Sequence, residues 1–337
     1  MDQHVRRVAA AFALSLIVVV AQGPAWGAES IESLKGSELQ VPVLGELAGT
    51  QAPAVPLVGE PVTYSVGGLT VYFVDVGQGD AEYIELPGGK TALIDGGPPN
   101  GKLADFLRRR GVAKIDYLVM THPHLDHYGG LPYVFDSLQV DNFYDTKMDN
   151  AGAGDDAVRA KAAAEPGILI SYPAPGGTLD WGDDIQVKVL SSCPDEQSAQ
   201  RARDVNACSI VLKLTHAGAS ILFMGDAGES VESVLVAQYG DELAADALKV
   251  GHHGSATSSS ADFLGKVRPR LSFIEVGAGN SYGHPRQPTL ARLGAVGTEV
   301  HRTDQEGTYI LADHRPAPMG PGTGIVAFDS AQAPMWR

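Results

Sequence analysis

Three histidines and one aspartate occupy six consecutive positions, 122–127, in a chain that has 10 histidines among 337 residues. The segment runs His122-Pro-His124-Leu-Asp126-His127. Neutral imidazole together with carboxylate is the donor set that Zn²⁺ favours in proteins, and it also suits Mn²⁺ or Fe. Such a density of donors in a solvated loop is improbable by chance, so the segment predicts a metal site.

The local backbone indicates how these donors divide between ions. The apolar stretch 115–120 directly before them is typical of a buried strand. In an extended segment residues i and i+2 point to the same side, so His122 and His124 can share one ion. Asp126 and His127 follow where the chain turns, and we expect them to face a second ion.

Similar side chains recur at or beyond the ends of later predicted strands. Asp226, the pair His252 and His253, and His284 each lie beside or near glycine, which lets the backbone turn tightly. A single aspartate at a strand end is more commonly a turn residue. Together with the first cluster, however, these residues become candidates for the same site.

Strands and helices of mixed order must bring these positions together. Apolar, β-branched and aromatic runs predict strands at 69–76, 81–86, 91–94, 115–120, 185–190, 209–214, 220–224, 247–250, 271–276, 300–302 and 308–311. Helical patterns occur at 103–110, 229–239 and 288–296. Residues 145–180, rich in Asp, Ala and Gly, are expected to form an excursion over the core. The order predicts an α/β (α+β) fold.

The composition excludes several other classes of protein. Hydrophobic residues make up 44% and charged residues 19%, with 40 Gly and 21 Pro, which argues against a coiled coil or a wholly disordered chain. The formal net charge is −15, so no global basic field attracts nucleic acid. Any polyanion would need a local patch or a metal ion to bind.

The two ends of the chain differ in amino-acid composition from the middle. Arg6 and Arg7, the apolar run 8–20 and the small residues Ala25 and Gly27 predict a signal peptide over residues 1–27, with an uncleaved anchor helix as the alternative. Residues 28–68 are Pro- and Gly-rich and predict a linker or arm. The domain then covers 69–315, and 316–337 form a C-terminal tail.

These features predict an exported protein, periplasmic or extracellular, with no membrane span after its signal. Export implies an oxidising compartment for the two cysteines, Cys193 and Cys208. Their spacing allows a disulfide but does not establish one, so paired and free cysteines both remain open.

The cluster resembles a known motif. His122-Pro-His124-Leu-Asp126-His127 is similar to the HxHxDH signature of the metallo-β-lactamase superfamily. The segments at 75–80 (DVGQGD), 248–255 (LKVGHHGS), 282–285 (YGHP) and 302–304 (RTD) further resemble the hydrolase domain of ComEC-type competence proteins. The resemblance covers about residues 69–312 and implies a four-layer αββα sandwich.

The resemblance also implies a ligand set for two divalent metal ions, with zinc expected first and Mn or Fe as alternatives. His122 and His124 would hold one ion. Asp126, His127 and His252 would hold the other, with His252 chosen over His253 on the family pattern, and Asp226 would bridge the two.

Two departures from the family pattern limit what carries over. Most members of the superfamily have a third histidine for the first ion where this chain has Asn206, which leaves that ion poorly held unless Asn206 or another group completes its site. ComEC-type proteins are membrane channels, whereas this chain has no apolar span after its signal. DNA uptake therefore does not carry over.

The implied chemistry is hydrolysis by a metal-bound hydroxide, since a bound metal lowers the pKa of water toward about 7. Asp126 and Asp226 would orient the hydroxide, and His284 would donate to a phosphate oxygen or leaving group. Asp80 and Asp95 are either supports behind the ligands or plain turn carboxylates. Asp126 and His284 are thus the predicted catalytic residues.

The expected function is an exported, nuclease-like phosphodiesterase acting on a small-molecule or oligonucleotide phosphodiester. One alternative is a hydrolase of lactone, ester or amide substrates. Another is a binding or cell-surface module that retains metal without turnover. Substrate identity depends on loops such as 145–180, which carry no recognisable motif.

Overall fold

The computed structural model describes residues 68–202 and 204–312, together with the backbone of 325–327. The predicted signal peptide and nearly all of the predicted linker lie outside the described residues, and so does most of the predicted tail. Within the described part of the chain, no helix is long and apolar enough to cross a membrane.

One sheet has eight strands, of which the first six along the chain lie side by side in chain order. Its strands are β1 Thr70–Phe73, β2 Glu82–Glu85, β3 Thr91–Ile94, β4 Lys114–Val119, β5 Gln139–Tyr144, β6 Leu169–Ser171, β14 Tyr309–Ala312 and β15 Ile325–Ala327. They lie in the order β15-β14-β1-β2-β3-β4-β5-β6. The strands predicted at 81–86 and 91–94 are present as β2 and β3, which pair antiparallel.

The second sheet has seven strands. These are β7 Thr178–Leu179, β8 Ile185–Ser191, β9 Val211–His216, β10 Ala219–Phe223, β11 Ala247–Lys249, β12 Leu271–Ile274 and β13 Glu299–Arg302. Their order is β13-β12-β11-β10-β9-β8-β7. Strands β10 to β13 are parallel to one another, so their carboxyl ends share one edge.

Nine α-helices and three 3-10 turns occur in the described residues. The helices are α1 Lys102–Arg109, α2 Leu125–Tyr128, α3 Leu131–Ser137, α4 Ala153–Ala164, α5 Glu196–Arg201, α6 Glu229–Tyr239, α7 Ala261–Val267, α8 Gln287–Ala295 and α9 Thr303–Glu306. The 3-10 turns are Val205–Cys208, Gly240–Leu243 and Gly251–Gly254.

Successive side chains along a strand point to opposite faces of the sheet, and the apolar side chains form three separate clusters. In β1, Val71 and Phe73 belong to the cluster between the sheets, while Tyr72 belongs to the cluster that α1, α3 and α4 cover. Phe73 stacks on Phe273 of β12 with ring centroids 4.0 Å apart, joining the two sheets. A third cluster packs α6, α7 and α8 on the second sheet. This arrangement is the four-layer αββα sandwich that the resemblance predicts.

Several elements, α3, β5 and α7 among them, were not predicted from the sequence, and two more lie in the segments predicted as an excursion and a tail. The excursion 145–180 contains α4, whose Val158 and Ala162 are buried in the cluster on the first sheet. Strand β15 lies within the segment predicted as a tail and pairs in parallel with β14, so the sheet extends beyond residue 315. The short apolar run 325–328 (IVAF) was the available signal for this strand.

Candidate metal centre

The first four donors lie where β4 gives way to the short helix α2. His122 is fully buried, and its Nε2 lies 3.0 Å from Nδ1 of His124. His124 is the last extended residue before α2, so Asp126 and His127 are carried around the helical turn to a different side. Glycine is required next to them, because a Cβ on Gly130 would lie 2.2 Å from the carbonyl oxygen of Gly96. His122 and His124 thus lie together on one side, and Asp126 and His127 lie on another.

Asp226 lies between two sets of histidines. It follows β10, and its backbone N–H donates to Ser209 Oγ at 3.1 Å. The distances from the two oxygens to the surrounding imidazoles are as follows: Oδ2 is 3.8 Å from His122 Nε2 and 3.7 Å from His252 Nε2, while Oδ1 is 3.3 Å from His127 Nε2 and 3.5 Å from His253 Nε2. The carboxylate therefore has one oxygen toward each set, as a bridging ligand requires.

Potential ligand atoms converge within 4.8 Å of one another in two groups around Asp226. We call His122, His124 and Asp226 Oδ2 the first half-site, and Asp126, His127, His253 and Asp226 Oδ1 the second half-site. In the second half-site, His127 Nε2, His253 Nε2 and Asp226 Oδ1 are buried and have no hydrogen-bond partner. Buried polar atoms are rarely left unpaired, so a cation coordinated by all three atoms fits this position.

The structure places His253, not His252, beside Asp126 and His127. His253 Nε2 is 3.4 Å from Asp126 Oδ2, whereas the His252 side chain is 28% exposed and faces the other oxygen of Asp226. Both residues have left-handed backbone conformations, with φ of 50° and 52°. Because of this turn the two neighbouring rings diverge, which no feature of a His-His pair in a sequence reveals.

A carboxylate lies behind each imidazole of the second half-site. Asp95 Oδ2 is 2.8 Å from His127 Nδ1, and Asp80 Oδ1 is 3.0 Å from His253 Nδ1. Asp95 is also held by Thr121, whose N–H and Oγ1–H donate to it at 2.7 and 2.6 Å. Of the two alternatives left by the sequence, both aspartates adopt the supporting position.

Sequence reasoning missed a buried charged group beyond Asp80. Lys249 Nζ donates to Asp80 Oδ2 at 2.6 Å, and the buried side chains of Glu82 and Glu275 lie within 4.8 Å of Asp80. Burial, reinforced by the Asp80 charge, raises the pKa of Glu275 to about 8. Charged residues inside apolar strands, such as Glu82 in β2 and Lys249 in β11, were the available signal.

The two half-sites differ in electrostatics. Burial favours the neutral form of His127, but the charges of Asp226 and Asp95 outweigh it and hold the pKa well above the usual histidine value. Burial likewise opposes protonation of His253, and the Asp226 and Asp80 charges raise its pKa to about 10. By contrast, burial and the proximity of His127 hold the pKa of His122 well below its usual value.

His284 lies at the rim and in neither half-site. Its backbone N–H donates to Asn280 Oδ1 at 3.0 Å, and Asn280 Nδ2 donates to the His284 carbonyl oxygen at 2.7 Å. The His284 ring centroid is 5.5 Å from that of His252, and burial together with His252 and His253 lowers the pKa of His284 to about 4. A neutral imidazole is thus held close to the candidate ligands.

Cys193 and Cys208 form a disulfide, which settles the alternative that their spacing left open. Cys208 ends the 3-10 turn that contains Asn206, and the next residue, Ser209, places its Oγ 3.5 Å from His122 Nδ1. The Oδ1 atom of Asn206 is buried without a hydrogen-bond partner. The disulfide therefore anchors the segment that supports the first half-site.

A comparison of the sequence with known protein families agrees with the fold and the site described above. The family model described as the Metallo-beta-lactamase superfamily matches residues 74–274. The chain therefore belongs to the metallo-beta-lactamase superfamily. The matched range contains both half-sites but ends before His284.

Three relatives are similar to this chain over about 240–260 residues. The chain is 31% identical over 258 residues to ComE operon protein 3 of Bacillus subtilis strain 168, covering 71% of this chain and 32% of the relative. It is 30% identical over 251 residues to competence protein ComA of Neisseria gonorrhoeae, covering 74% and 32%. It is 27% identical over 241 residues to recombination protein 2 of Haemophilus influenzae, covering 69% and 27%. The chain thus spans about a third of the length of these relatives.

Proposed function

We propose that this chain is an exported hydrolase that uses two divalent metal ions, zinc foremost, to cleave phosphodiesters. The observation that carries the proposal is the convergence of imidazoles on Asp226: the buried, unpartnered His127 Nε2 and His253 Nε2 face its Oδ1, and two further imidazoles face its Oδ2. The first half-site offers two imidazoles and a carboxylate oxygen. The second offers two imidazoles and two carboxylates, and both sets suit zinc, with Mn or Fe as alternatives.

Bound divalent ions would supply an activated water and would neutralise charge on a phosphate. The residues around the ions would orient the water and bind the substrate. Burial opposes ionisation of Asp126, but His253 and His127 outweigh it and hold its pKa below the usual value, so Asp126 is a carboxylate that can orient a water. His284, neutral at physiological pH, can donate an N–H to a phosphate oxygen or leaving group.

The choice of phosphodiesters rests on the names of the relatives. One is named a competence protein and another a recombination protein, and both processes act on DNA. The net charge of −15 disfavours a polyanion, so the bound ions would have to supply the attraction for a phosphate. We therefore assign a nuclease-like activity on oligonucleotides or small phosphodiesters.

Export rests on the segment around Arg6 and Arg7 and on the disulfide, because disulfides persist mainly in oxidising compartments. The mature protein is expected to begin at Ala28 or within a few residues of it. Intact mass of protein recovered outside the cytoplasm measures this. Recovery of chains that still contain Met1 and residues 8–20 would contradict cleavage and favour an anchor.

A metal-replete activity screen tests the reaction. Mature protein loaded with Zn²⁺, Mn²⁺ or Fe²⁺ is incubated with single-stranded DNA, bis(p-nitrophenyl) phosphate, a lactone and a β-lactam. Hydrolysis of the first two, lost in Asp126→Asn and retained in the surface control Glu229→Ala, is expected. Turnover of only the lactone or β-lactam would overturn the phosphodiesterase assignment, and metal binding without any turnover would indicate a non-catalytic module.

A further inference from the structure

We propose that His252 is the third imidazole ligand of the ion in the first half-site. This inference rests on the proposed two-ion function. An ion in the second half-site would be held by two imidazoles, Asp126 and one oxygen of Asp226. The first half-site has only His122, His124 and the other oxygen, and His252 brings both to four protein donors.

The distances to Asp226 carry the argument. His252 Nε2 and His122 Nε2 lie 3.7 and 3.8 Å from the same Oδ2 atom. Both separations are too long for a good hydrogen bond, for which about 2.7–3.2 Å is typical. Ligand bonds of about 2.0–2.1 Å at tetrahedral or wider angles place two donors about 3.3–3.8 Å apart. Each histidine is therefore at the distance from Oδ2 that two ligands of one ion would have. His252 is not in the 4.8 Å group of His122, His124 and Asp226, so its side chain must turn toward an ion to bind it.

The backbone holds His252 in this direction. Its N–H donates to the carbonyl oxygen of Gly225 at 3.0 Å, so the histidine turn is bonded directly to the residue before Asp226. Two successive non-glycine residues with left-handed φ are sterically disfavoured, and such strain persists mainly at functional sites. The strained turn directs His253 to Oδ1 and His252 to Oδ2.

The His252 ring is also available to a ligand. It makes no hydrogen bond to any residue in the described part of the chain, and its nearest aromatic neighbour, His284, lies 5.5 Å away between ring centroids. The 28% exposed side chain can adjust toward an ion. Asn206 is the competing donor, since its Oδ1 is buried and unpartnered, and the experiment must separate the two.

The test counts metal ions and does not depend on finding a substrate. Wild type, His252→Ala, His252→Gly and Asn206→Ala are reconstituted with Co²⁺ or Zn²⁺ and dialysed against a weak chelator, and bound metal per chain and the Co²⁺ absorption spectrum are measured. The glycine variant keeps the left-handed turn without strain. Circular dichroism establishes that each variant is folded.

Two equivalents in wild type and in Asn206→Ala, and one in both His252 variants, are expected. The affinity lost should exceed the 10–100-fold typical of losing a supporting partner. Adding His252→Ala to His122→Ala should remove no further ion, whereas adding His253→Ala should remove the remaining one. Asn206→His should restore the second equivalent in the His252→Ala background.

Three results would overturn the inference. His252 variants that keep two equivalents would remove the ligand role altogether. Loss of an ion in Asn206→Ala alone would assign the role to Asn206 Oδ1. Loss of the last ion in the His122→Ala/His252→Ala protein would move His252 to the second half-site, as the family pattern implies. Wild type that binds no metal would instead defeat the proposed function itself.

Discussion

The two half-sites share one aspartate but have different surroundings. Each imidazole of the second half-site has a carboxylate behind it, Asp95 for His127 and Asp80 for His253. In the first half-site, the polar neighbours of His122 Nδ1 among the described residues are the hydroxyls of Thr121 and Ser209, at 3.1 and 3.5 Å. A carboxylate behind a ligand raises the basicity of the imidazole and fixes its orientation. The second half-site is therefore built to bind its ion more tightly.

The largest expected effect comes from removing the group that the half-sites share. Asp226→Ala should weaken both ions together, by at least about 100-fold each, because a buried ligand common to both is lost. Metal content after dialysis measures this, with the exposed Glu229→Ala of α6 as the control. If only one ion were lost, Asp226 would belong to a single half-site and the bridge would be wrong.

His284 separates the ligands from the residues that act on substrate. His284→Ala should lower kcat by about 10²–10³, the typical cost of losing one hydrogen-bond donor to developing charge. Metal content should stay near the wild-type value, whereas His124→Ala should lose both activity and the first ion. The phosphodiester identified by the screen supplies the kinetic readout.

Two outcomes would contradict this role for His284. Release of an ion by His284→Ala would make the residue a ligand. Unchanged kcat together with unchanged metal content would make it an ordinary turn histidine of the rim.

The pH dependence of binding should differ between the half-sites. In the absence of metal, His127 and His253 have raised pKa values, about 10 for His253, so both are protonated at pH 7. An ion must displace these protons, and affinity for the second half-site should rise with pH, by up to about 100-fold per unit when two protons leave. The lowered pKa of His122 means that it is already neutral, so the first half-site should release no proton there.

Calorimetric titration in buffers of different ionisation enthalpy counts the released protons. The expected result is more than one proton per ion for the tighter event and close to none for the weaker one. Equal proton release in the two events would remove the electrostatic distinction between the half-sites.

Much of this site could be predicted from the sequence, because its donors are close in sequence or follow strands. The cluster 122–127 and Asp226 are of this kind, and the parallel strands β10 and β11 bring Asp226 and the His252-His253 pair to one sheet edge. The choice between two adjacent histidines depends on backbone dihedral angles that residue type does not specify. Lys249 and Glu275 escaped notice since their partners lie on other strands.

The same limit applies to the fold. Where the apolar pattern is regular, the predicted bounds agree with the structure within a few residues. The strand Thr91–Ile94 and the helix Glu229–Tyr239 are examples. Helix α4 was missed because it lacks a strong apolar stripe, although its alanines favour a helix. Its position depends on Arg159, which donates to Asp145 and Asp155 at 2.8 and 2.7 Å, and such contacts arise only in the folded chain.

The smallest expected effects come from the groups behind the ligands, and they compare the half-sites most directly. Asp95→Asn removes the charge behind His127 and should weaken the second ion by about 10–100-fold. Ser209→Ala removes a hydroxyl that lies 3.5 Å from His122 Nδ1 and accepts the Asp226 N–H at 3.1 Å, and it should weaken the first ion by less than about tenfold, since neither contact involves a charged side chain behind an imidazole. Competition with a chromophoric chelator measures both affinities in one titration. Comparable losses from the two substitutions would show that the carboxylates contribute no more than hydroxyls, and the asymmetry between the half-sites would then need another cause.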